Sequence, residues 1–310
     1  MKVCFVGIGS IAKRHISNLR EIAEEQGFGL KIDAVRREGS ASSVSGTDGI
    51  YYSLTDLPSD YDAVFITNPT DLHIETLQMV HDKSSCFFIE KPLTSVRKIK
   101  EVKGLALKEN NLYYVACPLR YTNVIQYLKD FVSEHQITGV RCISSSYLPE
   151  WRPGTDYRNT YSAHKDLGGG VSIDLIHEWD YLKYLFGTPE SVVYKCGKKS
   201  NLEMDCEDTA LYIAEYPDKF VELHLDYFGR KTIREIMLFT QDDTVVGDLV
   251  QSTVSFLKSG ETVNFGEQRN DFQKKELKHF LQLMKTRESD NTIQDAYKTI
   301  LLTQGIVEEA

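Results

Sequence analysis

No stretch of this 310-residue chain approaches the ~18 consecutive apolar residues that a bilayer-spanning helix needs, and no membrane partner is expected. Paired cysteines are absent too. Cys4, Cys86, Cys117, Cys142, Cys196 and Cys206 are dispersed without a CxxC spacing, which excludes a zinc ribbon and a disulfide framework. Several sit in apolar runs and read as reduced, buried small hydrophobes of a cytoplasmic protein. The opening MKVCFVGIGS has neither a secretory n-region nor a long apolar core, and runs straight into a strand pattern. Positive charge is in short supply. With 36 Lys+Arg against 45 Asp+Glu, the net charge of −9 opposes a surface that coats nucleic acid or anionic lipid, while leaving room for a local basic pocket. Internal repeats and low-complexity linkers are not detectable either, so domain boundaries must come from topology.

What is present is ordinary globular composition, 41% hydrophobic and 26% charged, at a length that suggests two domains. The first third alternates short apolar runs with amphipathic stretches: strands over 2–6, 30–35, 63–67, 85–89 and 113–117, helices over 11–26, 71–81 and 95–110. Strands separated by helices imply right-handed crossovers and a doubly wound parallel sheet, a Rossmann-type α/β domain over 1–118. The remainder, 119–310, predicts an α+β domain with a large, mostly antiparallel sheet. A helix over 124–135 precedes a strand over 140–147, a polar aromatic loop and the Gly168–Gly170 cluster. One helix is then expected to end at Gly187. Strands over 192–196, 209–216, 220–227, 233–239, 244–248 and 251–257 follow, then helices over 271–285 and 292–309.

Gly7-Ile8-Gly9-Ser10-Ile11-Ala12 reads GxGxxA between the first strand and the first helix. Gly7 permits the tight turn, Gly9 lets the backbone approach a pyrophosphate, and Ala12 allows close packing; Ser10 and Ile11 open the helix whose N–H groups face the phosphates. A nicotinamide dinucleotide is the expected cofactor. Asp33 lies inside the second strand, whereas its end reads Arg36-Arg37-Glu38. A guanidinium there suits a 2′-phosphate, so NADP is favoured over NAD: Arg37 by register, Arg36 against the adenine, Ser40 on phosphate. A solvated basic pair, with Glu38 on a ribose hydroxyl, is the competing reading.

Four separated segments then resemble the glucose–fructose oxidoreductase / inositol dehydrogenase / rhizopine-catabolism (Gfo/Idh/MocA) family: GIGSIAKRH, Thr67-Asn68-Pro69 with His73, Glu90-Lys91-Pro92, and GGGVSIDLIHEWDYLKYLFG over 168–187. The resemblance implies NAD(P)-dependent oxidation or reduction at a sugar, cyclitol or nucleotide-sugar carbon. It places Thr67, Asn68, Pro69, His73, Glu90 and Lys91 around the cofactor, with His73 either touching that region or orienting its loop. It also implies that Lys91, Asp174 and His177 act together at the reacting hydroxyl. Lys91 follows an apolar strand and so belongs at the carboxyl edge of a parallel sheet, where a partly dry Lys can share in proton transfer. His177 is the expected proton acceptor. Asp174 precedes it by three positions where many members have four, and Asp174 or Asp180 can alternatively hold the helix by capping or ion pairing. Trp151, Tyr157 and Tyr161 offer flat faces for a sugar ring, and Arg152 and Arg158 can fork onto carboxylate or phosphate; the same composition also suits an oligomer contact. Arg120 is expected in the same cleft. His177-Glu178 has no second His four residues on, so no HExxH metal site exists and no metal is expected. The resemblance further implies a homodimer or homotetramer through the C-terminal sheet. A fold relative that cleaves glycosides with a retained dinucleotide, and a non-catalytic cofactor sensor, are the rival readings.

Overall fold

The computed structural model describes residues 1–39 and 43–308; Ser40 and Glu309 therefore lie outside the described residues. The chain divides into two compact units, Met1–Ala116 with Gln273–Tyr297, and Cys117–Phe272 with Lys298–Ala310. The expected unbroken division at 118/119 differs from this, because residues 273–297 cluster with the first unit.

In the first unit, β1 (Lys2–Val6), β2 (Lys31–Val35), β3 (Gly49–Tyr51), β4 (Ala63–Ile66), β5 (Cys86–Ile89) and β6 (Leu112–Val115) form one parallel sheet in the order β3-β2-β1-β4-β5-β6. That is the doubly wound Rossmann order. Two helices belong to its crossovers, α1 (Ser10–Gln26) and α2 (His73–Val80). Helix α1 buries Ala12, Ile16, Leu19, Ile22 and Ala23, an i, i+3/i+4 stripe. Phe65 stacks between Phe5 and Phe88 at centroid distances of 4.5 and 5.0 Å, and Phe280 closes this core edge-on. The segment expected as a helix over 95–110 is instead a 3₁₀-helix over Val96–Gly104. Its apolar residues Val96, Ile99 and Val102 recur every three positions, the period of a three-residue turn rather than of an α-helix.

The second unit opens with α3 (Asn123–Glu134), capped by the Thr122 hydroxyl, which accepts the Ile125 N–H. Then come β7 (Gly139–Tyr147), α4 (Val171–Asp174), α5 (His177–Phe186) and seven strands: β8 (Ser191–Gly197), β9 (Thr209–Tyr216), β10 (Lys219–Asp226), β11 (Phe228–Phe239), β12 (Thr244–Asp248), β13 (Thr253–Phe256) and β14 (Thr262–Asn264). The eight strands run in the order β14-β13-β12-β11-β7-β10-β9-β8. All neighbours are antiparallel except β7 and β10, a parallel pair that the run of β-rich segments did not reveal. One sheet face carries Val140, Cys142, Tyr212, Ala214, Leu223 and Leu238 into a core shared with α3 and α5, where Trp179 is fully buried edge-on against Tyr212. Helices α6 (Arg269–Thr286) and α7 (Ile293–Thr303) complete the chain.

Candidate active site

In the first unit the polypeptide leaves β1 at Gly7 with φ +89°, and the Gly7 N–H donates to Val35 O at 3.1 Å. A Cβ at Gly7 would lie 2.5 Å from Asn68 Cα, so both the conformation and the close approach demand glycine. At Gly9 a Cβ would meet nothing within 4 Å. The first turn of α1 carries no side-chain cap and no acidic residue, and Gly9 and Ser10 are exposed. An open glycine ahead of uncapped helix amides fits a diphosphate, so the dinucleotide reading passes on local geometry. Ile11 is half-buried and Ala12 is fully buried, as close packing of α1 on the sheet requires.

The loops after β4 and β5 are tied to this turn. The Thr67 hydroxyl donates to Gly7 O at 2.7 Å, and Asn68 Nδ2 donates to the Thr76 hydroxyl at 2.7 Å. Pro69 leads into a 3₁₀ turn over Thr70–Leu72. His73 is buried with Nε2 2.9 Å from Asn68 O and Nδ1 3.1 Å from Pro92 O, joining the Thr-Asn-Pro loop to the Glu-Lys-Pro loop. Burial pushes its pKa down, against the hydrogen bonds and the Glu90 charge. Cys86–Glu90 is buried throughout, and Lys91 is the first half-exposed residue after it. Glu90 Oε1 lies 2.5 Å from His15 Nε2, and Glu90 Oε2 accepts the Lys91 N–H at 3.2 Å. Burial disfavours the Glu90 carboxylate, but the His15 hydrogen bond and the neighbouring charges of His15, Lys91 and His73 outweigh it and hold the pKa below its ordinary value. His15 lies in the buried stripe of α1, at i+3 from Ala12, and that spacing is the signal that points inward.

Midway along β2, Asp33 is buried and accepts the Tyr61 hydroxyl at 2.9 Å, so this carboxylate is engaged inside the unit. Arg36 is half-exposed, its N–H donating to Tyr51 O at 3.0 Å, and Arg37 is exposed. Arg36, Lys13 and Arg20 line a cavity of about 650 Å³ together with Ser43 and Ser45.

In the second unit the expected single helix is broken. Helix α4 stops at Asp174, Leu175 takes ψ +33°, and α5 restarts at His177. Gly170, at φ +129°, precedes α4 where any Cβ would run into the Glu207 carboxylate; Glu207 in turn accepts the Ser172 N–H at 3.4 Å. Burial raises Glu207 above the usual carboxyl range. From Gly170 through Leu182 every residue is buried except His177. Asp174 is buried and accepts the hydroxyl of fully buried Tyr227 at 2.6 Å, a partner that the sequence did not single out. The Asp174 charge, and then burial, push the Tyr161 phenol up.

The loop before α4 divides. Trp151 stands edge-on to Tyr227 at 5.2 Å with its indole N–H on the Ser146 hydroxyl, and the Arg152 guanidinium lies 5.3 Å from the Tyr161 ring centre. Tyr157 is half-buried, its hydroxyl accepting the Glu203 N–H at 2.8 Å. Two arginines differ from expectation. The Arg158 guanidinium forks onto Asp156 and reaches Glu203. Arg120 is buried and clamps Asp180 through Nε at 2.9 Å and Nη2 at 2.6 Å, which realises the ion-pairing alternative for Asp180. Glu178 is fully buried with Oε1 2.7 Å from Arg234 Nε. His164, Asp166 and Asp205 bring ligand-type atoms within 4.8 Å of one another. His164 Nε2 is 2.6 Å from Arg158 O and Asp205 accepts the Lys165 N–H, contacts that fold the loop. Among the described residues no helix is long and apolar enough to cross a membrane.

The chain is 25% identical over 201 residues to the uncharacterized oxidoreductase YrbE of Bacillus subtilis, covering 62% of this chain and 55% of that protein. It thus spans about half the length of the curated relatives it matches. Among solved structures, levoglucosan dehydrogenase in complex with NADH and levoglucosan superposes with a TM-score of 0.83 at 16% identity, covering 99% and 96% of the two chains. UDP-N-acetylglucosamine 3-dehydrogenase GnnA from Acidithiobacillus ferrooxidans superposes at 0.77 with 17% identity, covering 98% and 95%. At these identities the likeness is one of fold. Residues 1–117 match the oxidoreductase family with the NAD-binding Rossmann fold, and residues 125–232 match the GFO/IDH/MocA C-terminal domain, so the chain belongs to the Gfo/Idh/MocA oxidoreductase family.

Proposed function

We propose that the protein transfers a hydride between a nicotinamide dinucleotide and a hydroxyl- or keto-bearing carbon of a sugar, cyclitol or nucleotide-sugar derivative. The observation that carries this reading is His177, half-exposed in a run from Gly170 to Leu182 that is otherwise buried. Gly7, Gly9, Ser10, Ile11 and Ala12 hold the dinucleotide, with Thr67, Asn68, Pro69, His73 and Glu90 fixing the loops beside it. When bound, the oxidised nicotinamide supplies the hydride acceptor. In the oxidation direction His177 takes the hydroxyl proton while Lys91 polarises the same oxygen, and the carbon that loses its hydride becomes a carbonyl. Asp174, fixed by the Tyr227 hydroxyl, orients this segment and contacts substrate. Trp151, Arg152, Tyr157 and Tyr161 contact the ring. Arg158, paired with Asp156, lines the outer rim.

NADP is the cofactor we favour, since Asp33 is spent on Tyr61 and the end of β2 presents Arg37 next in the chain to Arg36, which lines a cavity with Lys13. A cytoplasmic location accords with six cysteines that all remain free thiols. Purified protein incubated with NADP or NAD and a panel of sugars, cyclitols and nucleotide sugars is expected to change absorbance at the nicotinamide band, faster with NADP. Turnover with only catalytic dinucleotide and no net absorbance change would identify glycoside cleavage instead. Bound dinucleotide that never turns over would leave a sensor.

The outward face of the eight-stranded sheet supports self-association. Val193 and Ile213 are paired neighbours 62% and 51% exposed, with Leu211 and Phe220 also open on the same side. Apolar exposure of this kind fits a second copy of the chain, as a homodimer or homotetramer. Sedimentation velocity is expected to show one such species; a monomer at micromolar concentration refutes it.

A further inference from the structure

Beside the aromatic loop of the second unit lies a cavity of about 400 Å³, lined by Tyr147, Tyr157, Phe228, Lys199, Arg230 and Asn201, with Ser200 and Leu202 beneath. Its volume falls within the ~300–1,000 Å³ usual for small-molecule sites. The lining contains two cations and no carboxylate, in a chain whose formal charge is −9. Elsewhere in this unit the arginines at 120, 141, 158 and 234 each sit on a carboxylate. Among the described residues the side chains of Lys199 and Arg230 have no acidic partner.

Both cations are nonetheless aimed. The Arg230 guanidinium lies over the Tyr147 ring, 3.8 Å from its centre, where the strand register slips between Phe228 and Ile233. An irregularity of that kind re-aims a side chain away from the regular ladder. Lys199 stands on a turn whose backbone is pinned to fully buried Asp208: the Lys199 and Ser200 N–H groups donate to its carboxylate at 2.7 and 2.8 Å, and the Ser200 hydroxyl at 2.6 Å. Tyr157 is held by the Glu203 N–H. The aromatic walls and the turn beneath the cations are thus set before any ligand arrives, which lowers the ordering cost of binding.

We propose that this cavity takes the nucleoside diphosphate part of a nucleotide-activated substrate. Tyr147, Tyr157 and Phe228 offer faces to a base or ribose, and the fork of Arg230 with the ammonium of Lys199 balances the two charges of a diphosphate diester. A neutral free sugar uses neither cation. The cavity shares Tyr157 with the loop that carries Tyr161, and Phe228 follows Tyr227, which holds Asp174. The inference narrows the substrate class and rests on the hydride-transfer reading for its metabolic meaning.

The test is calorimetric titration of the 310-residue chain, presaturated with dinucleotide so that the Rossmann site is filled, with UDP, dTDP and GDP. At least one is expected to bind, and the double variant Lys199→Gln, Arg230→Gln is expected to bind it about tenfold or more weakly, with affinity in the native protein falling as salt rises. Both substituted side chains are exposed, so dinucleotide affinity and the melting midpoint are expected to stay put. No binding of any of the three, or equal binding by the double variant, overturns the proposal. Loss of the hydride-transfer reading registers separately, because Lys91→Met is expected to titrate with the nucleotide like the native protein whatever its turnover.

Discussion

Lys91→Met and His177→Asn are each expected to lower kcat by about 10²–10⁴-fold while leaving dinucleotide affinity within a few-fold of native, since a positioned proton-transfer group contributes on that scale. The two lesions differ in kind. Lys91 emerges half-exposed from the buried end of β5, its N–H fixed by Glu90, so methionine keeps the aliphatic stem and deletes only the charge to which the polarising role is assigned in the proposal. Asparagine at 177 retains a polar side chain at the start of α5 but cannot serve as a base at neutral pH. On the proposed roles, in which both residues act on one proton transfer, the double variant is expected to lose far less than the product of the single losses. Single-turnover rates of reduced dinucleotide formation and fluorescence titration of the bound cofactor separate chemistry from binding. Full turnover in both variants sinks the assignment, and weak dinucleotide binding in either moves that residue to the cofactor site.

Much of the first unit is legible because fully buried parallel strands are written as uninterrupted apolar runs, such as Ala63–Ile66 and Cys86–Ile89. The three-residue β3 is too short to carry a pattern, and the 3₁₀ segment over Val96–Gly104 is legible only when its apolar residues are counted at a spacing of three. In the second unit the strands are visible but their partners are not, since the parallel pairing of β7 with β10 joins segments far apart in the chain. The site divides along the same line. Glycines and a lone His-Glu-x-Asp are local signals. Tyr227 on Asp174 spans 53 residues and His15 on Glu90 spans 75, so neither partner is announced by spacing. Arg120 illustrates the cost: as a sequence feature it is a cation near a cleft, and only the fold reveals that Asp180 has taken it.

Arg120→Met is therefore expected to cost about 3–5 kcal/mol of stability, the range found when one partner of a buried ion pair is removed and the other charge is stranded. The native Arg120 is 6% exposed and Asp180 8%, and both guanidinium contacts are short and parallel. Its planar face also lies 5.2 Å from the Tyr184 ring centre, so the substitution removes packing together with charge. Lysine is a poor substitute, because an ammonium cannot make the two-pronged contact. The second substitution Asp180→Leu in the Arg120→Met background is expected to recover most of the loss, since an apolar pair of similar volume strands nothing. Urea unfolding midpoints across the four proteins of this cycle read the coupling directly. A residue that served mainly to hold substrate would behave otherwise: Arg120→Met would keep its unfolding midpoint, raise KM, and gain nothing from the change at 180.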